Sequence, residues 1–202
     1  MARVKRIKVS RKFSDYTYRK ALLYLLPNFE DRCAYSMRHI QNQGGMEVDH
    51  FNPHLKHTKR NAYSNLMPAI RPCNGKKRDL WPTPEMQKEG IHFINPCKED
   101  DYGVQIFEIL ESGKLVGTTP AARYHIRSLD LNAPFLMRER KIRTNFRRFQ
   151  NDGVWDFKSH WQSHEALAAG ESFCDFIEKS ITPIPALPPQ FDERGMIKSD
   201  TV

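Results

Sequence analysis

The chain has 202 residues, 28% of them charged, and a formal net charge of +8 at pH 7. That length can bury a sizeable core in one domain or slightly more, and no apolar run reaches the roughly 20 residues of a membrane span. The excess of Lys and Arg favours a polyanionic partner, because cations that neutralise phosphates release counterions. The basic start, MARVKRIKVSRKF, is followed by no apolar h-region or cleavage motif, so a cytoplasmic location is expected. Cys33, Cys73, Cys97 and Cys174 are widely spread with no C-x-x-C pair, which suits reduced thiols.

In chain order, residues 1–13 alternate Lys or Arg with Val4, Ile7 and Val9, as a basic arm or a first edge strand would. Ser14 is placed to cap a helix over Asp15–Leu26, with Tyr18, Leu22, Leu25 and Leu26 on one face and Pro27 as its stop. The segment from Cys33 to Asp79 carries the chemistry and is taken up below; with its flanks, residues 14–90 are expected to form one core unit. Residues 91–181 read as a hairpin and helices. Ile91–Ile94, Val104–Ile109 and Lys114–Gly117 are β-like, and Ser112-Gly113 suits a hairpin turn. Thr119-Pro120 opens a helix to about Leu129 in cap-then-proline order, and Asn132-Ala-Pro134 opens another to about Gln150.

In that last helix Phe135, Ile142, Phe146 and Phe149 fall on one stripe. Arg138, Arg140, Lys141, Arg143, Arg147 and Arg148 cover much of the remainder, as a DNA-facing or solvated surface. Trp155–Leu167 and Ser172–Ser180 are shorter helical candidates. Residues 182–202, with four prolines, read as a tail or partner-wrapping extension. The fold class expected is therefore α+β.

Three runs concentrate the reactive residue types: Met46-Glu-Val-Asp49-His50-Phe-Asn-Pro53, Ser64-Asn65-Leu-Met-Pro68, and Pro72-Cys73-Asn74-Gly-Lys76-Lys77-Arg-Asp79. Phosphodiester hydrolysis needs a divalent cation at the phosphate, a base for the attacking water, and cations against the charge of the transition state. Asp49 offers a carboxylate, Asn74 an amide carbonyl, and His50 an imidazole. These are hard oxygen donors, which suit Mg²⁺ or Mn²⁺, beside a base that titrates near neutrality. Lys76 and Lys77, in the first turn of a helix expected to start near Asn74, would face the phosphate.

In the order and spacing of these runs the chain resembles the HNH endonuclease family, whose ββα-metal fold packs a β-hairpin on a helix around one metal ion. The resemblance implies that Asp49 and Asn74 are metal ligands and that His50 is the general base. It implies that Asn65 braces the loop and orients the histidine. Many such domains also carry two Cys-x-x-Cys pairs holding a structural zinc. Here those positions read Cys33-Ala-Tyr-Ser36 and Ile70-Arg-Pro-Cys73, half of each pair. Two thiolates do not complete a closed zinc site. Cys33 and Cys73 are therefore expected to pack as small apolar residues without structural zinc; a site completed by His39, His54 or His57 is the alternative.

Further on, His92-Phe-Ile-Asn95-Pro96, Asp100-Asp101 and Ile126-Arg-Ser-Leu129-Asp-Leu131-Asn132, with Arg138 and Arg140, are similar to the C-terminal part of HNH subunits of anti-phage systems, those of the Septu type and some retron-associated ones. That resemblance implies a DNA nuclease working with an ATPase partner. Its alternatives are a stand-alone restriction or homing enzyme, for which no recognition helix or zinc module is evident, and a non-catalytic nucleic-acid-binding or structural subunit on a decayed HNH scaffold. Arg140, Arg143 and Arg147 are the further candidate backbone contacts.

Overall fold

The computed structural model describes residues 4–5, 12–40, 45–151 and 184–198. The expected helical segments Trp155–Leu167 and Ser172–Ser180 lie outside them. The fold is mixed α+β, and the described residues form two separate two-stranded antiparallel sheets.

Helix α1 spans Leu22–Asn28, after a 3-10 turn over Tyr18–Ala21. Its start is later than Asp15 because Ser14 and Thr17 form a local turn. The Ser14 N–H donates to Thr17 Oγ1 at 2.9 Å, and Tyr18 N–H bonds back to the Ser14 carbonyl at 2.8 Å. Short hydroxyl side chains compete with helical backbone bonds in this way. Pro27 does not stop the helix, which runs through it to Asn28. The proline sits in the last turn, where the one bond it removes would have gone to the carbonyl of the exposed Leu23, a position open to water. The chain then reverses through Glu30 and Asp31, both at positive φ, with Asp31 N–H on the Leu26 carbonyl at 2.9 Å. Leu25 is wholly buried, and Tyr18, Leu22 and Leu26 pack against the same core.

Strand β1 (Met46–His50) pairs antiparallel with β2 (Leu66–Ile70), so that Asp49 faces Met67 and His50 faces Leu66. Their connection contains a short helix α2 (His57–Arg60) and a 3-10 turn at Tyr63–Asn65. Helix α3 (Arg71–Lys77) follows β2 directly. Both α1 and α3 contact both strands. Every residue of β2 is buried, as a strand covered on two faces requires. After α4 (Pro84–Lys88), the stretch Ile91–Ile94 is irregular rather than a strand, although Phe93 and Ile94 are buried. It is an apolar connection whose Ile94 N–H is taken up by His125 Nδ1 at 3.1 Å instead of by a partner strand.

The second sheet pairs β3 (Ile106–Ile109) with β4 (Lys114–Gly117) across a turn that includes Ser112 and Gly113. Gly113 has a φ of 70°, and a Cβ there would lie 2.3 Å from the Met137 carbonyl oxygen, so only glycine fits. Helix α5 (Pro120–Ser128) is capped by Thr119, whose hydroxyl accepts the Ala122 N–H at 3.1 Å. Helix α6 covers Pro134–Asn151.

The inward face of α6 differs from the stripe expected. Leu136 and Arg140 are buried, while Phe135 and Ile142 are exposed; the side chains of Phe146 and Phe149 lie outside the described residues. The face is chosen by what it meets: carbonyls at the ends of β4 and α5 call for a donor, and Arg140 supplies it. The proline-rich C-terminus likewise departs from a free tail over its described part, residues 184–198. Glu108 N–H bonds to the Pro185 carbonyl at 2.9 Å and Leu187 N–H to the Glu108 carbonyl at 3.0 Å, so the segment lines the open edge of β3. Ile184 is buried beneath it. At the other end, Val4 is buried and its N–H bonds to the Pro96 carbonyl at 2.9 Å, with no strand assigned at residues 4–5.

Buried residues of both sheets belong to one apolar cluster, from Leu25, Tyr35 and Leu66 to Phe93, Ile106, Leu115 and Leu136. Tyr102 Oη ties the two parts by donating to the Tyr35 carbonyl at 2.6 Å. No described helix is long and apolar enough to cross a membrane.

Candidate active site

Asp49 and His50 are successive residues at the end of β1; the Asp49 carboxylate is buried, and the His50 ring is half-buried against Tyr18 and Asn61. Asp49 is 4% exposed. Its carboxylate accepts from the Tyr35 hydroxyl and from Lys77 Nζ, the latter at 3.0 Å to Oδ2 and 3.3 Å to Oδ1. Lys77 is 0% exposed and also donates to the His50 carbonyl at 2.7 Å. Burial pushes Asp49 up and Lys77 down, and the opposite charge alongside holds each back.

The expectation that Lys77 faces a phosphate is therefore corrected: it is an internal counter-ion to Asp49. The reason lies in the start of α3. The helix begins at Arg71 with Pro72 in its first turn, not near Asn74, so Lys77 falls in its last turn and points under β1. Lys76 stays 60% exposed and pairs with Asp130 at 3.0 Å. With Arg78, Asp79, Pro72, Gly75 and Leu80 it lines an open hollow of about 840 Å³.

Asn74 is the fourth residue of α3, so it does not cap the helix. Its Nδ2 donates to Glu47 Oε2 at 2.7 Å, which leaves Oδ1 as the uncommitted end of the amide. Glu47 lies two residues before Asp49, on the same face of β1, and is half-exposed near Arg71. Asp49, Glu47 and Asn74 Oδ1 thus offer hard oxygen donors on two adjoining elements, a set whose chemistry fits Mg²⁺ or Mn²⁺, provided that Lys77 shares Asp49 with the ion. Among the described residues, no group of three or more His, Cys, Asp or Glu is gathered closely enough to form a metal cluster of its own.

His50 is half-buried, and its Nε2 lies 2.7 Å from Asn61 Oδ1. The Tyr18 ring lies against it, with centroids 4.8 Å apart and planes tilted by 40°. Burial lowers the imidazole pKa from its ordinary value of 6.5, a shift that the hydrogen bond with Asn61 opposes and the nearby Arg60 assists. A base that is neutral near pH 7 results. Asn65 is buried and does not touch the ring. It accepts from Asn52 N–H at 2.9 Å and donates to the carbonyls of Asn52 at 3.0 Å and Arg60 at 2.9 Å. It thus closes the loop that carries Asn61. His54 donates to the Asp79 carbonyl at 3.0 Å, and His57 to Asp15 at 2.5 Å.

Cys33 and Cys73 are brought together in the core beside Ser36. The Cys33 sulfur accepts the N–H groups of Ser36 and Ile70, each at 3.5 Å. Burial opposes a thiolate at Cys33, but hydrogen bonds from Cys73, Ser36 and these amides outweigh it and bring the thiol down to about 6. The proton it receives from Cys73, together with burial, pushes Cys73 well up. All four positions of the two half-pairs therefore converge, and Cys33 and Cys73 are both fully buried within the apolar core cluster, as small apolar residues would be, with these hydrogen bonds in addition.

The cationic face assigned to α6 is only partly outward. Arg138 and Lys141 are exposed, Arg143 is half-buried, and the Arg147 side chain is outside the described residues. Arg140 is 1% exposed and donates to the carbonyls of Gly113 and Leu131, both at 2.6 Å. It staples β4, the end of α5 and α6 together, and a nucleic-acid contact through it is corrected accordingly.

Asn61, Asp15, Tyr35 and Glu47 contact the site without having been singled out in the sequence. Strand periodicity from Asp49 was the one signal that pointed to Glu47; the others arrive by tertiary packing. No protein-family model matches the chain, and no curated protein matches it.

Proposed function

We propose that this chain is a metal-dependent endonuclease of the HNH type, with β1, β2 and α3 as its ββα-metal unit. It would hydrolyse DNA phosphodiester bonds as the nuclease effector of an anti-phage complex with an ATPase partner. The observation that carries the nuclease reading is the joining of Asp49, His50 and Asn74 on one hairpin and the helix behind it, with the His50 ring held through Nε2. The defence role and the ATPase partner rest on the sequence resemblance alone.

In this mechanism His50 takes the proton of a water in line with the scissile bond; the resulting hydroxide attacks phosphorus and the 3′ oxygen departs. A Mg²⁺ or Mn²⁺ ion held by Asp49 and Asn74 would supply polarisation of the phosphate and charge stabilisation at the leaving oxygen. Lys77 opposes the burial that raises the Asp49 pKa and holds the carboxylate in place. Lys76 and Arg78, exposed at the open hollow, would contact the nucleic-acid backbone, a role that the buried Lys77 does not take.

One observation favours a second reading, a nucleic-acid-binding subunit without catalysis: the Asp49 carboxylate is already engaged by Lys77 and Tyr35. Substitution separates the two. His50→Ala should abolish metal-dependent cleavage of plasmid DNA while leaving binding intact, and added imidazole should restore part of the rate. Binding without cleavage by the wild-type chain in Mg²⁺, Mn²⁺ and Ni²⁺ would favour the second reading instead.

A further inference from the structure

The His50 ring is gripped by residues from outside its own strand, and the polarity of that grip is determined. Asn61 Nδ2 lies 2.6 Å from Asp15 Oδ1, and His57 Nε2 lies 2.5 Å from Asp15 Oδ2. An ionised carboxylate only accepts hydrogen bonds, and hydrogen bonds from Asn61 and His57 hold Asp15 below its ordinary pKa, so it is ionised near neutrality. Asn61 must therefore turn its NH₂ towards Asp15 and its carbonyl towards His50. A ring nitrogen 2.7 Å from a carbonyl oxygen carries a hydrogen. Neutral imidazole has one N–H, so the other nitrogen, Nδ1, keeps its lone pair. No partner for Nδ1 is found among the described residues, and the Tyr18 ring lies against the imidazole with centroids 4.8 Å apart.

We infer that Asn61, oriented by Asp15, is a positioning residue that fixes His50 as its Nε2–H tautomer and reserves Nδ1 as the nitrogen that receives the water proton. The second half of this statement rests on the nuclease reading; the tautomer does not. Asp15 and Tyr18 precede α1, whereas Asn61 belongs to the β1–β2 connection. The segment before α1 thus acts on the base through a chain of two hydrogen bonds and a ring contact. Its displacement would release the ring without touching β1.

Ring-¹⁵N-labelled histidine reports the tautomer directly in long-range ¹H–¹⁵N spectra of the full chain, whether or not it cleaves. The wild type is expected to show His50 with its proton on Nε2. In Asp15→Lys an ammonium faces Asn61, drawing the Asn61 carbonyl to itself and turning the NH₂ on His50. That should move the ring proton to Nδ1 and lower kcat by about a hundredfold or more, with no rise in KM. The exchanged pair D15N/N61D keeps an acceptor facing His50 and should retain the Nε2 proton, with kcat within about threefold of wild type.

A wild-type ring proton on Nδ1, or an Asp15→Lys spectrum like the wild type, would overturn the inference whatever the activity. An Asp15→Lys variant that changes tautomer but keeps full kcat would overturn the assignment of Nδ1 as base. If the tautomers behave as expected and no variant cleaves DNA, the nuclease reading fails and the tautomer lock stands.

Discussion

Lys77 and His50 illustrate how position within a short element sets chemistry. A buried ammonium 3.0 Å from a buried carboxylate is costly to leave alone. Lys77→Met is therefore expected to destabilise the fold by roughly 3–5 kcal/mol in urea titrations, far more than Lys76→Met at the surface. Equal small losses would show that the pair is not held as described. For His50, the sign of the pH dependence follows from burial. The imidazole must be neutral to accept a proton, and its pKa lies below 6.5, so kcat should rise as pH increases through that lower pKa and be level by neutrality. A midpoint above 6.5 would contradict it. Asp49, His50, Asn65 and Asn74 are singled out by motif order, whereas Glu47 is not, although the strand period from Asp49 points to it. Asn61 and Asp15 are not, because 46 residues separate them in sequence and only the folded connection brings them together.

At the scale of elements, local signals succeeded where a cap or a turn decides. Thr119-Pro120 and the Gly113 turn formed as their chemistry demands. They failed where packing decides. The start of α3 was set by Pro72 after a buried strand rather than by Asn74, and that shift of three residues turned Lys77 from a surface cation into a core one. On α6, an arginine rather than the Phe135 and Ile142 stripe faces inward, because the carbonyls of Gly113 and Leu131 need donors. Burial brings the Arg140 guanidinium down to about 10, still charged at neutral pH. Arg140→Leu should cost roughly 2–5 kcal/mol by thermal or denaturant unfolding, as two buried acceptors lose their partners. It should leave the salt dependence of DNA binding unaltered. A lowered salt slope with unchanged stability would return Arg140 to the DNA-facing set.

Across the whole molecule, one core joins the hairpin–helix unit to the C-terminal region, and the last described segment closes the edge of β3. Truncation before Ile184 should then lower stability by on the order of 2 kcal/mol, from the exposed isoleucine site and the lost edge bonds. An unchanged melting temperature would show that the segment contributes nothing. That joining was not legible in the sequence, where proline content suggested a tail, since edge pairing by a Pro-containing segment depends on which strand is left open. Metal-dependent cleavage through His50 is tested most directly by relaxation of supercoiled plasmid, with wild-type and His50→Ala chains compared with Mg²⁺ or Mn²⁺ and with chelator. The expected result is nicked or linear DNA from the wild type only when metal is present, and none from His50→Ala. Cleavage by His50→Ala at the wild-type rate, or none by the wild type in either metal, would contradict the account.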